Sequence, residues 1–236
     1  MTNKTIGVLG GMGPEASANL YQKIIKYSQN KYNAIQDSDY PPIIIYSLPM
    51  QGFDETGIAD EELVKKQLIE GVKRLESAGC ELVIIACNTV HYFYEEMQKA
   101  VKIPIFNIID ETKKRVLSAG YKKVGLFASE STVNMNLYQK RFENSGIEVI
   151  SPNEEQKKIL TKVIEHVMGG HQGDEDIIVL KDIARDYLKQ GAEAIVMGCT
   201  EIPLAINQTH TDIKLFDTIE IIVQSAVDFS LKKQDL

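Results

Sequence analysis

The residues in this chain best placed to do chemistry are two cysteines. Cys87 and Cys199 each end an apolar run, 82–86 and 194–198, and polar residues follow at once: Asn88-Thr89 after the first, Thr200-Glu201 after the second. The two settings copy one another. GCELVIIACNT at 79–89 aligns with GAEAIVMGCTE at 191–201, so Glu81 and Cys87 fall on Glu193 and Cys199 at an offset of 112 residues. A lone buried cysteine is ordinary core filler, and Cys80, matched by Ala192, is read that way. Cys87 and Cys199 are different, because both copies keep the thiol at the same strand end. Neither has a second thiol or a standard ligand spacing beside it, which argues against a metal site, and His91 alone does not complete a ligand set. A protease-like nucleophile would use one thiol and a base and leave the other cysteine unexplained. Two thiols related by a pseudo-twofold axis instead suit the inversion of a planar carbanion. One removes an α-proton as thiolate, and the other delivers a proton to the opposite face as thiol. An ordinary thiol titrates near 8.5, so working at neutral pH requires a shift of about 1.5 units, or roughly 2 kcal/mol. The helix N-terminus after each cysteine is expected to supply part of it. The amide and hydroxyls of Asn88, Thr89 and Thr200 suit the charge that develops on a substrate carboxylate.

The elements that must position these residues follow from hydropathy. Short β-branched runs at 5–9, 43–48, 82–86, 105–107, 123–127, 148–151, 194–198 and 214–216 alternate with helical periodicity, clearest at 61–78, 153–168 and 177–190. Several runs are apolar throughout, as strands covered on both faces are. The alternation predicts an α/β fold with parallel sheets, in which ligands bind beyond the carboxyl ends of the strands. Gly79 is the expected stop of the helix at 61–78. The duplication extends beyond the cysteines. TIGVLGGMGPEASANLYQK at 5–23 pairs with KVGLFASESTVNMNLYQK at 123–140, and IFNIID at 105–110 pairs with LFDTIE at 215–220. Two pseudo-symmetric α/β lobes are therefore expected, one over 1–105 plus 213–236 and the other over 106–212.

The loop from Gly11 to Ala16 fits the dinucleotide pattern G-x-G-x-x-G/A between a strand and a helix. That reading fails on two counts. No acid closes the second strand, which runs into Pro49-Met50, and the second copy of the loop, 128–133, has no glycine. The glycines fit a tight strand–helix turn, or the approach of backbone N–H groups to a small anion.

Composition excludes further classes. With 26 basic and 33 acidic residues, the 236-residue chain has a net charge of −7, unlike the basic face of a nucleic-acid-binding protein. At 44% apolar and 25% charged it is ordinary globular material, long enough to bury roughly 70–75% of its extended surface. No apolar run approaches the ~18 residues of a membrane span, and the glycine loop comes too early for a signal-peptide core. Three cysteines make no disulfide framework. A cytoplasmic enzyme or binding protein is expected, with no nucleic-acid or membrane partner.

Taken together, GVLGGMGPEA at 7–16, ACNTVH at 86–91 and GCTEIP at 198–203 resemble the cofactor-independent aspartate/glutamate racemases, and the resemblance covers almost the whole chain. It implies an active site in the cleft between two lobes, no pyridoxal phosphate, a small amino acid as substrate, and a homodimer. It implies Cys87 and Cys199 as the acid/base pair. By motif position, Gly11, Met12, Asn88, Thr89 and Thr200 would line the pocket, joined by Ser129, Ser131 and Thr132 where the family often has a Thr-rich turn. The glycine loop favours the aspartate branch, since glutamate racemases carry Asp-Ser in place of Gly10-Gly11 and His in place of Glu201. Two departures stand out. Aspartate racemases typically have an Arg in the loop after the second strand and a Lys late in a helix of the second half. Here PMQGFDETGI at 49–58 has no basic residue, and IEHVMGG at 164–170 offers only His166, which reads better as a solvated helix-face residue. The expected reaction is interconversion of L- and D-aspartate, with glutamate second. The alternatives are a hydantoin or other amino-acid racemase of the superfamily, and a non-catalytic small-acid binding protein.

Overall fold

The computed structural model describes residues 3–54 and 57–232. From the N-terminus run β1 (Ile6–Gly10), α1 (Pro14–Tyr32), β2 (Ile43–Ser47), α2 (Glu61–Ser77), β3 (Leu82–Ile85), α3 (Tyr94–Ala100) and α4 (Ile108–Ser118). The second series is β4 (Lys123–Phe127), α5 (Glu130–Asn134), α6 (Leu137–Phe142), β5 (Glu148–Ile150), α7 (Glu154–Met168), α8 (Asp174–Lys189), β6 (Ala194–Met197), α9 (Ile202–Ala205), β7 (Lys214–Asp217) and α10 (Thr218–Leu231). The strands form two parallel sheets, ordered β2-β1-β3 and β5-β4-β6-β7. Counterpart strands of the two copies occupy counterpart positions.

Both faces of each sheet are covered, which is why the strands read as unbroken apolar runs. Ile6, Val8, Leu82 and Ile84 of the first sheet and Val124, Leu126 and Val196 of the second point into one shared core with α1, α4, α6 and α10. The alternate residues face outward: Leu9, Val83 and Ile85 against α2 and α3, and Phe127, Ile195 and Met197 against α7 and α8. The shared core joins the sheets because the helices cross over. α10 leaves the second sheet and packs on α1, β1 and β3, while α4 leaves the first sheet and packs on α6 and α10.

Two expectations change. Residues 105–107 do not form a strand; Ile105 makes one parallel bridge to Val83. Pro104 has no N–H to offer where the second copy has Lys214, and Asn107 turns its side chain to cap the Ile109 and Asp110 amides of α4. Asp217 caps α10 in the same way. Residues 214–217, expected within the first lobe as part of 213–236, pair with β6 in the second sheet, as their place in the second copy of the repeat requires. Gly79 does end α2, with φ +91° just after the C-cap Ala78.

The glycine loop is explained by close backbone approach. Gly11 has φ +93°, and a Cβ there would lie 2.4 Å from the Leu48 carbonyl oxygen. Leu48 N–H donates to Gly10 O at 2.9 Å, and Gly11 N–H donates to Ser17 Oγ at 2.9 Å. Gly11→Ala should therefore cost at least about 2 kcal/mol, read as a lowered urea midpoint at unchanged m-value; an unshifted midpoint would show that the loop can move away from β2.

Candidate active site

The carboxyl ends of β1, β3, β4 and β6 converge on a cavity with about 150 Å³ of free space. Its walls include Gly11, Met12, Gly13 and Pro14 after β1, Cys87, Asn88 and Thr89 after β3, Ser129 after β4, and Gly198, Cys199, Thr200 and Glu201 after β6. Met50, Phe53 and Asp54 from the loop after β2, with Ile164 and Met168 from α7, complete the lining. Both cysteines are nearly inaccessible, 6% and 9% exposed.

Each thiol lies in a different network. Cys199 Sγ–H donates to Glu201 Oε2 at 3.1 Å, and Thr200 Oγ–H donates to the same oxygen at 3.0 Å. The other carboxylate oxygen accepts from Gly13 N–H at 3.3 Å, which ties the glycine loop of the first half to the cysteine turn of the second. Around Cys87 the turn is fixed from behind by His91. Its Nε2 accepts from Ile108 N–H at 3.3 Å, so Nδ1 carries the proton and donates to the Cys87 carbonyl at 2.8 Å. Asn88 accepts from Tyr138 O–H at 2.7 Å and donates to Thr218 Oγ1 at 3.3 Å, and Thr218 in turn donates to Met197 O.

Of the residues singled out by motif, Gly11, Met12, Cys87, Asn88, Thr89, Ser129, Cys199 and Thr200 meet at the cavity; Ser131 and Thr132 are not among its walls. Ser131 is buried on α5, and Thr132 lies behind the wall with its hydroxyl 2.8 Å from Thr89 Oγ1 and 3.2 Å from Ser129 Oγ. His166 does not reach the cavity either; it pairs with Asp176 of α8 at 2.9 Å. Among the described residues no group of three or more His, Cys, Asp or Glu could hold a metal ion, and no Lys, Arg or His lines the cavity.

A family model for Asp/Glu/Hydantoin racemase matches residues 9–226. The chain belongs to the Asp/Glu/Hydantoin racemase family. This racemase is 30% identical over 229 residues to the broad specificity amino-acid racemase RacX of Bacillus subtilis, covering 97% of this chain and 99% of that one. Among solved structures it superposes on an aspartate racemase homologue from Pyrococcus horikoshii with a TM-score of 0.82 at 33% identity, covering 97% and 100% of the two chains. For the aspartate racemase of Picrophilus torridus the values are 0.81 and 25%, over 98% and 95%. By family it is an amino-acid racemase, an isomerase with two α/β lobes. Among its described residues no helix is long and apolar enough to cross a membrane.

The racemase's thiols do not titrate as the spacing of cysteines and helix starts suggests. Burial pushes Cys87 up to about 12, assisted by the Glu201 charge and only partly offset by the Val90 and Thr89 N–H groups. Cys199 is raised well above the usual thiol value by burial, and then by the charge and hydrogen bond of Glu201. The short turn after each cysteine does supply amides, but desolvation of a thiolate outweighs them. Residues that sequence reasoning missed are of two kinds. Glu201 was within reach, since an acid two positions after a strand-end cysteine can return to it. Met50, Phe53, Ile164 and Met168 carry no local signal, because only the packing of the lobes brings them to the cavity.

Two predictions follow from these shifts. At pH 8 the thiols of the unliganded enzyme should react with iodoacetamide far more slowly than free cysteine, with rates still rising beyond pH 10; a plateau below pH 8 would contradict the raised values. His91 is pushed from 6.5 down to about 4 by burial. Between those values the unfolded chain holds the extra proton, so stability should fall as pH drops from about 6.5 through 4, by on the order of 3 kcal/mol. Denaturant melts of the parent and of His91→Gln should diverge across that window and run parallel above it.

Proposed function

We propose that this racemase interconverts the enantiomers of a free α-amino acid without a cofactor, with Cys87 and Cys199 acting on opposite faces of the α-carbon. The observation that carries the reading is that two equivalent strand ends, from two sheets, bring their only thiols to one small cavity. In one direction the Cys87 thiolate takes the α-proton and becomes a thiol, the electron pair delocalises into the substrate carboxylate, and Cys199 S–H protonates the other face. Cys199 is left as thiolate, and the reverse direction exchanges the roles, so no proton is gained or lost overall. No lysine lines the cavity among the described residues, and a pyridoxal cofactor would need one.

Burial and Glu201 both hold the thiols protonated, and among the described residues no cation lines the cavity to oppose them. The substrate's own α-ammonium is then the charge that favours the thiolate, so proton removal is coupled to substrate binding. The hydroxyls of Thr89 and Ser129 and the amides of the cysteine turns are the donors for the α-carboxylate. Aspartate and glutamate are the acids expected from the motifs, and the relative from Bacillus subtilis has a wider range by name. The chemistry itself requires only an α-proton, an ammonium and a carboxylate.

Cys87→Ala and Cys199→Ala should each lower racemisation by about 10³-fold or more while leaving the fold intact; a variant within tenfold of the parent would remove that cysteine from the mechanism. Glu201→Gln discriminates further. Enantiomers have equal free energy, so kcat/KM must fall by one factor in both directions. The α-deuterium isotope effect should nevertheless become unequal between L and D substrates, because only one of the two proton transfers from carbon uses Cys199.

A further inference from the structure

The cavity lining is not polar throughout. Met50 and Phe53 follow β2, and Ile164 and Met168 follow β5, its counterpart in the other sheet. With Met12 they are apolar side chains of the lining; Met12, Met50 and Phe53 belong to the cluster under the first sheet and Ile164 to that under the second. Ile164 is 1% exposed and Met12 8%, whereas Met168 at the mouth is 42% exposed. Among the described residues no Lys, Arg or His joins them, and the sequence 49–58 contains none. Among the described residues the loop after β2 contributes one ionisable residue to the lining, Asp54, whose Oδ1 accepts from Gly57 N–H at 3.1 Å.

From this lining we infer that the substrate is a neutral amino acid with an apolar side chain, of the methionine or leucine kind, rather than aspartate or glutamate. The inference rests on the two-thiol reading, which fixes the α-carbon between Cys87 and Cys199 and commits the polar donors to the α-carboxylate. A second carboxylate on the side chain would meet thioether, aromatic and aliphatic groups and the Asp54 carboxylate, with no cation among the described lining residues to pair with. Burying a charge without a partner is strongly unfavourable. An apolar side chain, in contrast, displaces water from apolar walls. Flexible, polarizable methionines let such walls fit side chains of several shapes, so the preference is for a class more than for one member.

The test measures kcat/KM for racemisation of L-methionine, L-leucine, L-aspartate, L-glutamate and L-lysine by the reduced full-length enzyme, with products separated by chiral chromatography. Methionine or leucine should exceed both acidic substrates and lysine by at least tenfold. Aspartate or glutamate within tenfold of the best neutral substrate overturns the inference and leaves the two-thiol mechanism standing. Lysine within tenfold or ahead also overturns it, and assigns Asp54 to a cationic side chain. Turnover of none of them overturns the mechanism, and the inference with it. Met168→Arg places a cation at the exposed edge of the wall, where folding should tolerate it. It should raise the aspartate-to-methionine ratio of kcat/KM at least tenfold, and an unchanged ratio counts against the wall as the determinant of specificity.

Discussion

The constraint on which the cavity depends is the burial of two protonated thiols at the ends of β3 and β6, in different sheets, with no cation among the described residues that line it. A thiolate in that setting is costly to form, so the protein cannot keep a permanently reactive cysteine there. It can hold a thiol ready for a charge that arrives with the ligand. Most other features of the site serve this arrangement. The shared core under both sheets, filled by α1, α4, α6 and α10, fixes the two strand ends relative to one another. The crossing of α4 and α10 between halves prevents either sheet from packing independently.

The polar links across the halves act at shorter range. Glu201 reaches from the second cysteine turn to the Gly13 amide in the first half. Asn88 reaches from the first cysteine turn to Tyr138 on α6 and Thr218 on α10. Thr89 meets Ser129 and Thr132 of the second half. These groups are buried, so each unmade bond would leave a desolvated polar atom. The site therefore has a strong preference for one relative placement of its halves. Glu201 occupies two roles in this scheme, as a brace between the halves and as the acceptor for Cys199.

Much of this was legible in the residues because the chain repeats itself. A single strand-end cysteine would have been unremarkable; a second at the same place in a second copy pointed to a paired function. The sheets followed from apolar runs, and the glycine loop from its departure in the second copy. What the residues did not reveal depends on three-dimensional packing. Helix-start amides near a cysteine are a local feature and suggested depressed thiols, but desolvation is a property of the whole fold and prevails. Pro104, which has no N–H for the ladder, interrupts what hydropathy alone makes a strand. Ser131 and Thr132 sit one turn past the cavity, although their neighbour Ser129 lines it. The apolar wall needed the loop after β2 and α7 to be placed together, and neither segment announces the other.

That the two thiols work from opposite faces is the central claim, and isotope transfer in the first fraction of a turnover tests it most directly. One enantiomer of a substrate is incubated with the enzyme in D₂O, the reaction is stopped at a few per cent conversion, and both enantiomers are separated and weighed by mass spectrometry. Two bases predict deuterium at the α-carbon of essentially all the product and protium retained in the recovered substrate, because the abstracted proton never reaches the far side. Protium carried into the product would mean that one group serves both faces, contradicting the pairing of Cys87 with Cys199.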